Sequence, residues 1–167
     1  MSHSRIFQFS DKEIKKEDYL NEDIFSRDDS LWDAFRSTFC GDFVEDRSEE
    51  ERLKDIQWLA ESLNFLDITL KDKDVFVLEK DFKEKLSNFW YSRIQNAFDA
   101  IEKKDIGAYI PRTQLKYACI DPLSMGFGFL FYSKDTELSH SNEFFEWLLS
   151  RDPGDLIYIG ATLNYHC

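Results

Sequence analysis

The sequence is poor in the residues that carry most recognisable chemistry: it has three cysteines, three histidines, three prolines and six glycines in 167 residues. The cysteines, Cys40, Cys119 and Cys167, are odd in number and widely spaced, which is not the pattern of a disulfide framework. Reduced thiols in a cytoplasm are the simplest interpretation. Apolar runs fall far short of the roughly 20 residues that cross a bilayer. The N-terminus lacks an apolar stretch of signal-peptide length, so we expect no membrane association.

Two glycines, Gly126 and Gly128, lie in the apolar stretch DPLSMGFGFLFYSKD at residues 121–135. A phosphate-binding loop needs glycines where a strand turns into a helix, usually with a lysine beside them. Here the strand-like FLFY follows Gly128, and neither the P-loop motif nor the dinucleotide-binding motif is present. We therefore predict that Gly126 closes a hairpin loop. Gly128 and Gly160 would each permit a bulge or the close approach of an aromatic ring.

The histidines indicate neither a metal site nor a catalytic site. His3, His140 and His166 have no helical or knuckle spacing for zinc, so no metal or other cofactor is predicted. Cys119 with His140 is the residue pair of a nucleophilic enzyme, but Cys119 within YACI is more typical of a small core residue. These observations favour a non-enzymatic function.

Negative charge and aromatic side chains are what the sequence has in abundance. The net charge is −12 and there are 16 phenylalanines. Residues 1–51 carry 15 acids and seven bases, a net of −8, whereas residues 52–104 are neutral and residues 105–167 carry −4. A negative surface repels nucleic acid and attracts basic partners. Direct binding of nucleic acid is therefore disfavoured.

Hydrophobic periodicity predicts an alternation of strands and helices. We expect a short helix opening with the Ser10–Glu13 capping pattern, a helix over 31–39 capped by Asp29 or Ser30, and a helix after the Ser48–Glu51 capping box. A long helix is predicted over 81–103 and a short one within 141–154. The predicted strands cover residues 5–9, 65–70, 75–79, 114–120, 126–133 and 155–166.

These elements predict a single α+β domain over residues 1–167, with an acidic, aromatic-rich portion at 1–51 and the remaining elements at 52–167. The sheet would be mostly antiparallel or mixed, with about five to six strands. Helices would pack mainly on one face, with the long helix 81–103 as the central packing element.

Two functional hypotheses follow from these patterns. The first is a protein-binding module whose acidic surface engages a basic protein partner, an immunity-like or decoy-like role in a bacterial setting. Its candidate residues are Asp23, Asp28, Asp29, Trp32, Asp33, Glu45 and Asp46. The alternative is a small-molecule-binding domain or small enzyme with a pocket between the C-terminal sheet and the helices. Its candidate residues are Tyr117, Tyr132, His140, Trp147 and Tyr158.

Overall fold

A mixed sheet with helices on both faces organises the chain. The computed structural model describes residues 3–39, 41–102, 109–123 and 129–166. Within these ranges the strands are β1 (His3–Ser10), β2 (Phe43–Asp46), β3 (Ile68–Asp72), β4 (Val75–Leu78), β5 (Leu130–Ser133), β6 (Glu137–Ser139) and β7 (Leu156–His166). The helices are α1 (Glu22–Arg27), α2 (Asp29–Thr38), α3 (Glu49–Leu63), α4 (Phe82–Glu102), α5 (Tyr109–Ile120) and α6 (Ser141–Leu149).

The long strand β7 lies at the centre of the sheet. The strand order in the described part of the chain is β3-β4-β7-β1-β5-β6, and β2 pairs with the C-terminal half of β7. Strands β1 and β5 run parallel, while the other pairs are antiparallel. The α+β class is confirmed. The sheet has seven described strands rather than five or six, since β2 and β6 had no counterpart in the prediction and the predicted strand 114–120 is helical.

A bulge in β7 reverses which face of the sheet its side chains point to. Phe7 of β1 pairs with Thr162, but Phe9 pairs with Ile159, so β7 has one extra residue between the two pairs. Gly160 lies in this interval, and the predicted bulge there is confirmed. A Cβ at this position would lie 2.5 Å from the side-chain oxygen of Gln8. The group in close approach is therefore an amide, not an aromatic ring.

Two hydrophobic cores lie on opposite faces of the sheet because the bulge splits the apolar residues of β7. Ile157 and Ile159 join the larger core, formed with helices α3, α4 and α6. Beyond the bulge, Ala161 and Leu163 join the second core, formed with α1 and α2. Most helical residues, those of α3, α4 and α6, thus pack on the face of the larger core, as expected, and the shorter helices α1 and α2 cover the opposite face.

Local capping signals explain where several helices begin. The Ser48–Glu51 capping box is present at the start of α3, as predicted. Helix α2 begins at Asp29, two residues earlier than expected, because the Asp28 carboxylate accepts from the backbone N–H of Leu31 and serves as the cap. The helix predicted from Ser10 does not form: the Ser10 hydroxyl accepts from the N–H of Lys12, and residues 11–15 are not helical. The long helix is confirmed as α4.

The segment 114–120, predicted as a strand, belongs to helix α5. Leu115, Tyr117 and Cys119 alternate like strand residues, but α5 packs beside α4 and buries Ala118. The indole N–H of Trp90 donates to the carbonyl of Ala118 at 2.9 Å. Tertiary packing against α4 therefore overrides the alternation.

The hairpin predicted for β5 has a different partner strand. The antiparallel partner of β5 is β6, and Gly126 and Gly128 lie outside the described residues. No described helix combines the length and hydrophobicity needed to cross a membrane.

Candidate functional site

Helices α1 and α2 carry a set of outward-pointing carboxylates, which we call the acidic face. Phe25, Leu31 and Phe35 anchor these helices in the second core, so the remaining positions point to solvent. Asp46 in β2 joins them by accepting from the backbone N–H of Glu22 at 2.7 Å. The acidic face consists of Glu22, Asp23, Asp28, Asp29, Asp33, Asp46 and Glu137, all of them exposed.

Few cations neutralise the acidic face. Asp23 forms the only salt bridge of these seven carboxylates within the described residues, to Arg27 in the same helix at 3.8 Å, with both side chains largely exposed. The two helices that carry most of the face, α1 and α2, contain four acids and two bases, Arg27 and Arg36, with a fifth acid, Asp28, between them. The carboxylates on this face therefore remain available to an external cation.

Apolar groups lie among these carboxylates. Ile24 of α1 is 47% exposed. Trp32 is half-buried, because its ring packs against Phe25 and Phe35. The accessible part of Trp32 and the exposed side chain of Ile24 give the acidic face groups that lose water on contact with a partner.

Glu45, predicted as part of the acidic surface, points to the opposite face of the sheet. Side chains alternate along β2, and Val44 points into the second core. Glu45 accepts instead from the side-chain amide of Asn164, at 3.2 Å. Strand alternation thus separates Glu45 from the other predicted carboxylates.

A groove of about 170 Å³ lies between the start of α2 and the β5–β6 hairpin. Asp28, Tyr132 and Glu137 line it, and so does Lys134. Burial raises the pKa of Tyr132, and the negative charges of Asp28 and Glu137 raise it further. Hydrogen bonds from the Leu31 N–H and the Ser30 hydroxyl lower the pKa of Asp28. Tyr132, predicted for the alternative pocket, therefore lies on the acidic face.

The other residues of the alternative pocket lie at separate places. His140 is half-buried, with its ring 4.7 Å from that of Phe39, and burial lowers its pKa. Tyr117 lies on α5, and Tyr158 lies in β7 opposite Val75. Of these five residues, only Tyr132 and Trp147 line any of the three described cavities, and they line different ones. The first of these cavities lies beside Trp147, the second lies between Arg93 of α4 and Ala118 of α5, and the third is the groove beside Asp28 and Tyr132.

Trp147 forms one wall of a cavity of about 230 Å³ at the C-terminal ends of the parallel strands β1 and β5. Its ring packs edge-on against Phe9 at 4.9 Å, and the Arg151 guanidinium lies 4.3 Å from its centre. Loops at the carboxyl ends of parallel strands frequently bind ligands in open α/β sheets. The lining is Gln8, Phe9, Ser10, Asp11, Lys12, Glu13, Ile14, Asp18, Ser133, Lys134, Asp135 and Trp147.

A buried polar network that the sequence interpretation missed lies on the α3 side of the sheet. Asp55 is 4% exposed, and its carboxylate accepts from Arg5 at 2.7 Å, Arg47 at 3.0 Å and Thr162 at 3.2 Å. These donors satisfy both carboxylate oxygens, so the network joins β1, β7 and α3. The signal that identifies it is the bulge, which turns Thr162 and Asn164 towards α3.

Neither a metal centre nor a known relative indicates the chemistry. Across the described ranges, no group of three or more His, Cys, Asp or Glu residues is placed to hold a metal ion. Comparisons with protein-family models, with curated proteins and with solved structures gave no match.

Proposed function

We propose that this protein is a non-enzymatic binding module that engages a basic protein partner through the acidic face. The observation that supports this proposal is the set of seven exposed carboxylates, of which only Asp23 forms a salt bridge within the described part of the chain. Negative potential concentrated on one surface accelerates encounter with a cationic partner, and the acceleration weakens as salt is added.

Apolar groups on the same face supply the short-range part of binding. Charged groups at a rim contribute mainly to encounter rate and specificity, whereas buried aromatic contacts contribute most of the affinity. Ile24, Trp32 and Tyr132 are the groups placed to make such contacts. A partner whose basic side chains surround an apolar patch would match both components.

The role that fits this surface is neutralisation of a basic protein by covering its cationic site, as an immunity protein or a decoy does. A surface with seven exposed carboxylates, of which only Asp23 forms a salt bridge within the described residues, complements a lysine- or arginine-rich active site or nucleic-acid-binding site. The partner's own substrate would then be excluded by competition.

The experiment is a pull-down from source lysate at low and high salt, followed by titration of the purified partner. Asp28→Asn with Asp29→Asn removes two charges from the acidic face, and asparagine at 28 keeps the helix cap. The matched control is Glu61→Gln with Glu84→Gln, which removes two exposed carboxylates from α3 and α4 on the other side of the sheet. Equal affinity of the two double variants would contradict the proposal.

The cavity beside Trp147 supports a second candidate, binding of a small molecule. Its volume of about 230 Å³ lies below the range of about 300–1,000 Å³ typical of drug-sized ligands, so the ligand would be small. Tryptophan fluorescence of wild type and of Trp147→Phe, together with thermal unfolding, measured against a panel of small metabolites, tests this candidate. A ligand whose stabilising effect survives filling the cavity by Ser133→Phe would count against it.

A further inference from the structure

The cavity beside Trp147 lies where the chain leaves two neighbouring parallel strands towards opposite faces of the sheet. Strand β1 continues to helices α1 and α2, which pack in the second core. Strand β5 continues through β6 to α6, which packs in the larger core on the other face. Parallel strands whose connections diverge in this way leave a crevice at their carboxyl ends, and ligands of open α/β sheets bind in such crevices. The position of the cavity therefore favours a ligand site.

Gln8 holds one wall of the cavity in place. Its side-chain oxygen accepts from the backbone N–H groups of Leu20 and Ala161, and its side-chain nitrogen donates to the carbonyl of Asp18 at 2.9 Å. Gln8 is 6% exposed, so these hydrogen bonds are shielded from water. They tie the segment that follows β1 to strand β7. Because this wall is fixed before a ligand enters, binding costs little ordering of the chain.

Side chains of both charge signs line the cavity and are free to bind a ligand. Asp11 is already paired, with Arg151 at 2.9 Å. The other charged residues of the lining form no salt bridge within the described part of the chain. The segment after β1 and the turn after β5 each contribute at least one cation and one carboxylate. These five residues are Lys12, Glu13, Asp18, Lys134 and Asp135.

An apolar wall completes the lining of the cavity. It consists of Phe9, which is 1% exposed, with the half-buried Ile14 and Trp147. The Trp147 ring packs edge-on against Phe9 at 4.9 Å, which fixes its orientation. This wall is placed to contact an apolar group of a ligand whose charged groups reach the lysines and carboxylates.

We infer that the cavity binds a small zwitterion, namely a free amino acid with an apolar or aromatic side chain. The ligand carboxylate meets Lys12 or Lys134, and the ligand ammonium meets Asp18 or Asp135. The ligand side chain lies against the apolar wall at Trp147. This inference rests on the second candidate function, small-molecule binding, and names the ligand class of that site.

Charge favours a zwitterion over a ligand with a single charge. The net charge of −12 repels an anion as it approaches the protein. A cation meets two lysines in the cavity for which it supplies no counter-charge. A zwitterion has no net charge and offers one group to each sign in the lining. The volume of about 230 Å³ also suits a ligand below drug size.

Isothermal titration calorimetry of the whole chain tests the ligand class. The probes are free amino acids with apolar or aromatic side chains, each compared with its amide, which lacks the carboxylate, and with its N-acetyl derivative, which lacks the ammonium. At least one amino acid should bind, at least tenfold more tightly than either derivative. A derivative that binds as tightly as its amino acid overturns the inference. Absence of binding by every amino acid also overturns it, and a different metabolite bound in the cavity would then still support the second candidate function.

Variants assign the binding to the charged groups of the cavity. Lys12→Gln with Lys134→Gln should weaken binding of the amino acid at least tenfold and leave binding of its amide unchanged. The matched control is Lys54→Gln with Lys116→Gln, which removes two exposed lysines that line none of the three described cavities. An equal loss in the two pairs, or an equal loss for amino acid and amide, overturns the inference.

A second pair of variants tests the ammonium contact independently. Asp18→Asn with Asp135→Asn should weaken binding of the amino acid and leave binding of its N-acetyl derivative unchanged. Unchanged binding of the amino acid to this pair overturns the assignment of its ammonium. Circular dichroism of every variant checks that it is folded.

Discussion

The guanidinium of Arg52 donates from Nε to the carbonyl oxygen of Gly160 at 2.6 Å. It also donates from Nη2 to the carbonyl of Ile159 at 2.8 Å and to Asp74 at 2.8 Å. The bulge in β7 removes these carbonyls from regular pairing, and Arg52 satisfies them from α3. The buried Arg52 side chain thereby stabilises the bulge, which is the point at which the apolar side chains of β7 switch from one face of the sheet to the other.

Replacement of Arg52 by methionine should lower the free energy of unfolding by about 3 kcal/mol, because two buried carbonyls and Asp74 lose their donor. Arg52→Lys should recover only part of this loss, since an ammonium group does not reproduce the planar fork. Urea unfolding monitored by circular dichroism measures both. The control is Lys54→Ala, which breaks an exposed pair with Glu50. Equal stability of Arg52→Met and Lys54→Ala would contradict the role of Arg52.

Gly160→Ala should destabilise the protein by about 2 kcal/mol, because its Cβ would collide with the Gln8 side-chain oxygen. That oxygen cannot move freely, since it accepts from the backbone N–H groups of Leu20 at 2.9 Å and Ala161 at 3.0 Å. Chemical denaturation of Gly160→Ala, Gln8→Ala and the double variant forms a cycle. The double variant should be less destabilised than the sum of the single changes. Strict additivity would show that the collision does not occur.

The bulge and helix α5 show how far the sequence predicts this fold. The glycine at 160 indicated a bulge, and the Ser48 capping box and the α4 periodicity gave the helices α3 and α4. The consequence of the bulge was not predictable, because it depends on the pairing of β7 with β1. In the segment that forms α5, the alternation of Leu115, Tyr117 and Cys119 favoured a strand. The helix is stabilised by packing against α4, which the local sequence does not reveal.

The candidate site was partly predictable for a similar reason. Charge density identified Asp23, Asp28, Asp29 and Asp33, because helix positions left over from an apolar face must be exposed. Glu45 was grouped with the acidic surface but lies on the opposite face of the sheet, and Tyr132 was grouped with the alternative pocket but lies beside Asp28 and Glu137. Their positions depend on strand alternation in β2 and on a groove formed by α2 with the β5–β6 hairpin. Such long-range contacts have no local signal.

His140 should titrate below the ordinary histidine pKa of about 6.5, because burial disfavours its charged form. Asp121 opposes this shift and Lys116 adds to it. Since the folded pKa lies below the unfolded one, the folded state binds fewer protons, and stability should fall as the pH drops through about 6.5. NMR titration gives the pKa, and urea unfolding of wild type and His140→Gln gives the slope. A histidine pKa above 6.5 would rule out this burial.

Tyr132 provides a direct test of the groove. Burial and the charges of Asp28 and Glu137 raise its pKa, so Asp28→Asn should lower the pKa towards the ordinary value of about 10. Alkaline titration of labelled tyrosine by NMR measures the change. Asp29→Asn removes a neighbouring charge that does not line the groove and serves as the control. An identical Tyr132 pKa in wild type and Asp28→Asn would place Asp28 elsewhere.

The proposed function is binding of a basic protein through the acidic face. The most direct measurement is the dissociation constant of the purified complex as a function of salt, for wild type, for Asp28→Asn with Asp29→Asn, and for Glu61→Gln with Glu84→Gln. We predict that affinity falls with rising salt, that the acidic-face variant binds at least tenfold more weakly than wild type at low salt, and that the control pair binds like wild type. Affinity independent of salt, or equal loss in both double variants, would show that the acidic face is not the binding surface.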